Sequence, residues 1–186
     1  MKDTRDKRVI RTQTALLEAL EIMVQKKKLT NITITDLCIQ ANINRNTFYY
    51  HYNNICEFLK EHQQIVIGDM SRILEKPVSS KENLVELFES LRRHPHFLNI
   101  LCSPNCDMDL FSDIFNTATR ITQLFIADVN ACSNQREKYL SIYCNEGCNA
   151  VIRTWILNGM VEPPREMANI IWDASNEGPF TLTKTN

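Results

Sequence analysis

Apolar residues recur at three- and four-residue intervals along most of this chain, and the pattern breaks only over short stretches. From Arg5 to about Lys28, the residues Ile10, Ala15, Leu16, Leu17, Ala19, Leu20, Met23 and Val24 keep that spacing with no Gly or Pro among them. The periodicity predicts an amphipathic helix. Lys26, Lys27 and Lys28 close it, where cations suit the negative end of the helix dipole.

The next stretch, TNITITDLCIQANINRNTFYYHYNN, carries its own punctuation. Thr33 stands three residues before Asp36, an N-cap with an acidic partner in the manner of a capping box. Leu37, Cys38 and Ala41 give one short helix an apolar face. Asn42 follows, a residue that tolerates the left-handed backbone ending a helix, and Ile43 fills the core beneath the turn. Asn44 then serves as N-cap for a second short helix, Arg45 to about Tyr52. Two short helices joined so tightly form the helix-turn-helix pattern.

Beyond it, Ile55, Phe58, Leu59, Ile65, Val66, Met70, Ile73 and Leu74 predict a longer helix from about Asn54 to Leu74. Pro77, Ser79 and Ser80 mark a break. Leu84–Leu91 reads as helix, Pro95 and CSPNCDMD as further breaks, and 109–131 as helix again. The strongest late signal spans 136–159, where Leu140, Cys144, Gly147, Cys148, Val151, Ile152, Trp155 and Ile156 form one stripe and Gly159 closes the helix. Pro163 and Pro164 start a last helix with Met167, Ile170, Ile171 and Ala174 on one face, and the tail after Gly178 is polar. No strand-like alternation exceeds Asn31–Thr35. The expected fold is all-α, with a three-helix helix-turn-helix domain over 1–54, a connecting helix over 54–76 and a larger helical domain over 77–180.

Composition sharpens this picture in three ways. Four Gly in 186 residues, with no Gly-x-Gly-x-x-Gly or Gly-x-x-x-x-Gly-Lys run, weaken any nucleotide-binding reading. The net charge of −1 hides an asymmetry: residues 1–54 hold nine Lys/Arg against five Asp/Glu, a net +4, and the remainder carries −5. A basic head on an acidic body suits a chain that presents one end to a polyanion. Finally, nothing approaches the roughly 18 apolar residues of a membrane span, and MKDTRDKRVIRTQ is too charged for a secretory signal. A cytoplasmic location is expected, with the seven Cys as free thiols.

The run ITDLCIQANINRNTFYYHYNN resembles the DNA-binding signature of the TetR family of transcriptional regulators, in its capped helix, tight turn and short helix reading Thr-Phe-Tyr-Tyr-His-Tyr. RTWILNGMVEPPREMANII is similar to the family's final helix pair, a Trp-containing helix ending at Gly before a Pro-started helix. Many relatives carry Gly at Asn42 and a phosphate-reaching Lys at Ile55. The resemblance implies a regulator, a repressor by family default, that binds double-stranded DNA as a homodimer. A C-terminal ligand-binding and dimerisation domain answers to a small-molecule effector or a protein partner.

On such a reading Arg45 and Asn46, at the start of the second short helix, face base edges: Arg suits guanine O6/N7 and Asn suits adenine N6/N7, each worth about 1–3 kcal/mol of discrimination. The resemblance adds Thr47, Tyr49 and His51 as contacts to phosphates or base edges. Thr33 and Asn44 contribute through helix N-termini. Phe48 is expected inside, against Leu37 and Leu20, with one of Tyr50 and Tyr52 packed and the other near the DNA backbone. The last two helices are expected to pair with their dyad mates through Leu140, Cys144, Cys148, Val151, Ile152, Trp155, Met167, Ile170 and Ile171, against the alternative that this stripe fills its own core. Phe88, Phe97, Phe111, Phe115, Phe125 and Trp155 are candidates to line an effector pocket or simply core.

Other chemistry is thin. Cys144 and Cys148 share a helical face, and Cys102 and Cys106 lie near His94 and His96. Structural zinc normally takes about four ligands in tighter pairs, so these Cys read as small hydrophobes and no metal or cofactor is expected. Asp107, Asp109 and Asp113 lie near a helix start, where acids stabilise the dipole, and no nucleophile–base pair emerges, so no enzyme is expected. The alternative function is a helical protein-interaction module or co-activator without autonomous DNA binding, supported by Ile55 and the modest basic charge.

Overall fold

In the computed structural model, residues 2–74, 81–106, 117 and 134–176 are described. They form α1 (Lys2–Val24), a 3-10 turn (Leu29–Asn31), α2 (Ile34–Gln40), α3 (Arg45–His51), α4 (Ile55–Leu74), α5 (Lys81–Arg92), α6 (Pro95–Cys102), α7 (Gln135–Leu157) and α8 (Pro164–Asn176). The architecture is all-α, with no strand among the described residues. The helix expected over 109–131 lies outside the described residues apart from Thr117, which is helical. Phe111, Phe115, Phe125 and Cys132 lie outside them too.

The chain divides into two compact units, the first made of Met1–Gln64 with His96–Phe111, the second of Ile65–Pro95 with Ser112–Asn186. Leu16, Leu20, Leu37, Phe48, Phe58 and Leu59 are fully buried in the first. The segment from His96, which the periodicity assigns to the C-terminal domain, instead belongs to the first unit through a set of polar ties to α1. Asn99 Nδ2 donates to Glu21 Oε1 at 2.7 Å, and His96 Nδ1 lies 2.6 Å from Glu21 Oε2. Asn105 Nδ2 and Ser103 Oγ both donate to the Val24 carbonyl, at 2.7 and 3.3 Å, which occupies an acceptor left open by the end of α1.

The break expected at Pro95 falls at Arg93 and His94, between α5 and α6, and Pro95 is the first residue of α6, a position where its missing N–H costs nothing and its fixed φ suits a helix. Lys26 and Lys27 lie beyond α1 rather than in its last turn, their amides donating to the Met23 carbonyl at 3.0 and 3.1 Å.

In the second unit α5 and α8 form the most extensive helix pair among the described residues. Leu84, Leu87, Phe88 and Leu91 of α5 and Met167, Ala168 and Ile171 of α8 are buried. Phe88 meets Trp155 of α7 edge to face at 5.1 Å, a geometry worth about 0.5–1.5 kcal/mol beyond area burial. At the rim Arg165 grips Glu82 with two bonds of 3.0 and 3.1 Å, and Lys81 pairs with Asp173 at 3.3 Å. Gly159 ends α7 with φ +84. The amides of Gly159 and Met160 donate back to the Ile156 and Trp155 carbonyls at 3.0 and 2.9 Å, the two bonds of a Schellman cap.

Candidate nucleic-acid interface

The helix-turn-helix is built by its caps. Thr33 Oγ1 accepts from the Asp36 amide at 3.1 Å and so starts α2. The Asp36 carboxylate turns outward and takes Lys27 Nζ at 2.9 Å. Hydrogen bonds from Lys27 and Thr33 hold its pKa below the ordinary value. At the other end of α2, Asn42 adopts φ 53. Its amide donates to Ile39 O at 3.1 Å and the Ile43 amide to Cys38 O at 2.9 Å, again the Schellman pair. Asn44 follows at once, its Oδ1 accepting from the Asn46 amide at 2.8 Å to start α3.

Phe48 anchors α3. It has no exposed surface and its ring lies 5.6 Å from Tyr52 and 6.3 Å from Phe58. Tyr52 is the second anchor: its ring packs on Phe58 at 5.0 Å, and its hydroxyl accepts from Gln13 Nε2 of α1 at 2.8 Å. Burial pushes the Tyr52 phenol above its ordinary pKa, so it stays a neutral hydrogen-bonding group. Of the adjacent tyrosines, Tyr52 is therefore the packed one, and Tyr50 is 75% exposed beside His51, with ring centroids 4.9 Å apart.

What α3 leaves outside is a contiguous polar and aromatic face. Asn44, Arg45, Asn46, Tyr49, Tyr50 and His51 are exposed and Thr47 is half-buried, while Thr33 is exposed at the start of α2. The Arg45 guanidinium carbon sits 5.9 Å from the centre of the Tyr49 ring. Tyr50 is the exposed residue that sequence reasoning left unplaced; its signal was the four-residue interval from Asn46, which puts both on one helical face. Ile55 is only 8% exposed, so its apolar character is explained by packing. Its neighbour Asn54 caps α4 by accepting from the Glu57 amide at 2.8 Å.

The expected dimer residues fall into two groups. Cys148, Trp155, Met167 and Ile171 are 2–6% exposed and belong to the core of their own unit, because the inner half of an apolar stripe is consumed by α5 and α8 packing. Leu140, Val151 and Ile170 stay exposed, with Cys144 and Ile152 half-buried. Tyr139, Ile142 and Tyr143, which the sequence did not single out, add 49–64% exposed apolar rings and chains to that surface. Two grooves of about 520 and 340 Å³ lie along α7 and α8 and share Ala150, Val151 and Ile170. The aromatic pocket candidates resolve differently: Phe88 and Trp155 fill the second unit's core, and Phe97 is buried in the first beside His62. Burial raises the Cys38 and Cys148 thiols above their ordinary pKa, as expected of small buried hydrophobes. Among the described residues, no group of three or more His, Cys, Asp or Glu is placed to hold a metal ion. No helix there is long and apolar enough to cross a membrane.

An all-helical chain that presents a doubly capped helix-turn-helix belongs to the class of helix-turn-helix regulators. Residues 79–176 match a family model described as a transcriptional regulator C-terminal region. An uncharacterised HTH-type transcriptional regulator of Bacillus subtilis (strain 168), YxbF, is 36% identical over a stretch covering 50% of this chain and 28% of that protein. This chain therefore spans well under a third of that relative. In fold it is similar to a TetR-like transcriptional regulator from Rhodococcus sp. RHA1, with TM-score 0.58, 12% identity and coverage of 96% and 97% of the two chains. It is also similar to the dihydroxyacetone kinase operon activator DhaS, with TM-score 0.51, 18% identity and coverage of 91% and 97%. The chain belongs to the TetR family of transcriptional regulators.

Proposed function

We propose that this chain is a sequence-specific regulator that binds a palindromic operator as a homodimer, represses by occupying it, and has its DNA affinity set by an effector at the C-terminal unit. The observation that carries the reading is the exposed start of α3, Asn44–Arg45–Asn46, held out of the core by Phe48 and Tyr52 and set by the Schellman turn at Asn42 and the Asn44 N-cap. In this proposal Arg45 and Asn46 read base edges in the major groove. Tyr49, Tyr50, Thr47 and His51 contact phosphates or neighbouring bases, and Thr33 and Asn44 lie against the backbone.

A single seven-residue helix reads only a few base pairs, so useful specificity calls for two copies about a dyad. The apolar surface of α7 and α8 supplies the self-complementary patch. One protein of the same fold carries the name of an operon activator; the sign of regulation depends on where the operator lies relative to the promoter, and occlusion is the mode proposed here. An effector acts by binding one DNA-affinity state better than the other. The interaction-module alternative rests on the missing Lys at position 55, where Ile55 is buried, and on the modest basic charge.

Selection of sites from a random duplex pool, followed by binding across a salt series, tests the proposal. A palindromic motif is expected, with affinity falling steeply as salt rises. No enrichment at low salt would overturn it.

A further inference from the structure

Arg45 and Tyr49 lie four residues apart on α3, so their side chains share one face of the helix. Both are exposed, yet the guanidinium carbon of Arg45 stands 5.9 Å from the Tyr49 ring centre, within the range of a cation–π contact. The ring also lies edge to face against buried Phe48, at 6.0 Å between centroids. Three side chains thus lie in series from the hydrophobic core to the first residue of α3, Phe48 beside Tyr49 and Tyr49 beside Arg45.

We infer that Tyr49 is a positioning residue for base recognition: its ring face holds the Arg45 guanidinium in the orientation that reads a guanine in each half-site. The inference rests on the proposed DNA-binding role of α3 and adds to it. A free arginine has many rotamers, and ordering it at the moment of binding costs conformational entropy. A guanidinium held over a ring loses part of that freedom, and a cation–π contact through its face leaves its edge donors for a bidentate bond to guanine O6 and N7. Stacking uses the faces of the guanidinium and base reading uses its edge, so the two contacts do not compete. The Tyr49 hydroxyl remains available for a phosphate, which separates the two roles of one side chain: ring for specificity, hydroxyl for affinity.

The test begins with the motif selected by the wild-type full chain. Binding of wild type, Arg45→Ala, Tyr49→Phe, Tyr49→Leu and the double variant Arg45→Ala/Tyr49→Leu is measured on that duplex and on duplexes with each base pair replaced in turn. Arg45→Ala is expected to lose preference at one guanine position per half-site. Tyr49→Leu, which keeps bulk against Phe48 but has no π face, is expected to lose about 5-fold of preference at that same position. Tyr49→Phe is expected to keep the preference while binding every duplex more weakly. The double variant is expected to discriminate no worse than Arg45→Ala alone.

If Tyr49→Leu weakens all duplexes equally and keeps its preference at the Arg45 position, the positioning role is overturned. The same follows if the double variant loses more discrimination than Arg45→Ala. Failure of wild type to select any motif, or of Arg45→Ala to lose a position, would instead overturn the recognition role of α3, and this inference with it. Thermal melting of each variant separates a folding defect from either result.

Discussion

Asn42 concentrates the geometry of the helix-turn-helix in one backbone conformation. Its φ of 53 is left-handed, a region that costs most L-residues about 1–2 kcal/mol and that Asn and Gly enter most readily. Asn42→Ala is therefore expected to destabilise the protein by about 1 kcal/mol, and Asn42→Gly to leave it within a few tenths. Urea unfolding of both variants measures the difference. An Asn42→Ala protein as stable as wild type would show that the turn does not demand the left-handed state. This residue was legible in the sequence because Asn between two capped runs has few other uses. The tyrosines were less legible. Tyr49, Tyr50 and Tyr52 are the same residue type within four positions, and only the registry of α3 around buried Phe48 decides that Tyr52 packs while the other two face out.

At the scale of elements, α2 and α3 could be read because their caps are written beside them, Thr33 and Asn44 both making the side-chain bonds their residue types predict. The helix α6 could not, because a proline followed by a cysteine-rich stretch reads as a break until its first-turn position is known. Its attachment to α1 depends on Glu21, His96, Asn99 and Asn105, four polar residues whose pairing across more than 70 positions leaves no local pattern. The end of α4 carries a similar long-range tie. Asp69, 17% exposed, receives His94 Nε2 at 3.0 Å and lies near Arg93 at 3.5 Å and Arg72 at 3.2 Å. The His94 hydrogen bond, with help from the two arginines, holds the Asp69 carboxyl below its ordinary 3.8. A carboxylate with a lowered folded-state pKa stabilises the fold fully above its unfolded value and loses that contribution as pH falls through the lowered one. Thermal melting between pH 6 and pH 3 should thus show an acid-side decline that Asp69→Asn makes shallower. Parallel declines for the two proteins would remove Asp69 from the acid response.

At the scale of the whole molecule, the exposed apolar face of α7 bears on assembly. Gly147 sits in the interior of this 23-residue helix, where glycine costs about 1 kcal/mol relative to alanine. Among the described residues nothing lies within 4 Å of where its Cβ would be, so packing among them gives no reason for it. Around it, Leu140, Tyr143 and Val151 are 36–64% exposed, as is Ile170 on α8. The proposed homodimer would account for both facts, since a missing side chain would let a dyad-related helix approach closely while the flanking apolar residues entered the grooves beside Val151 and Ile170. The sequence alone could not draw this surface, because an apolar stripe looks the same whether its own core or a partner buries it. It placed Cys148, Trp155, Met167 and Ile171 at the interface, where the fold uses them inside. Substitutions now separate the two layers. Tyr143→Glu and Gly147→Leu are expected to weaken self-association at least about 10-fold, the loss of roughly 1.4 kcal/mol, without lowering the monomer's helix content. Gly147→Ala adds the smallest side chain, and in a monomer it would simply stabilise α7 by about 0.5–1 kcal/mol. Sedimentation velocity over a concentration series reads the association directly, and circular dichroism reads the helix. A dissociated Tyr143→Glu protein should bind a half-site about as well as the full palindrome, because the second recognition helix no longer arrives with the first. If it stays dimeric, the dyad lies elsewhere on the chain and Gly147 needs a different partner.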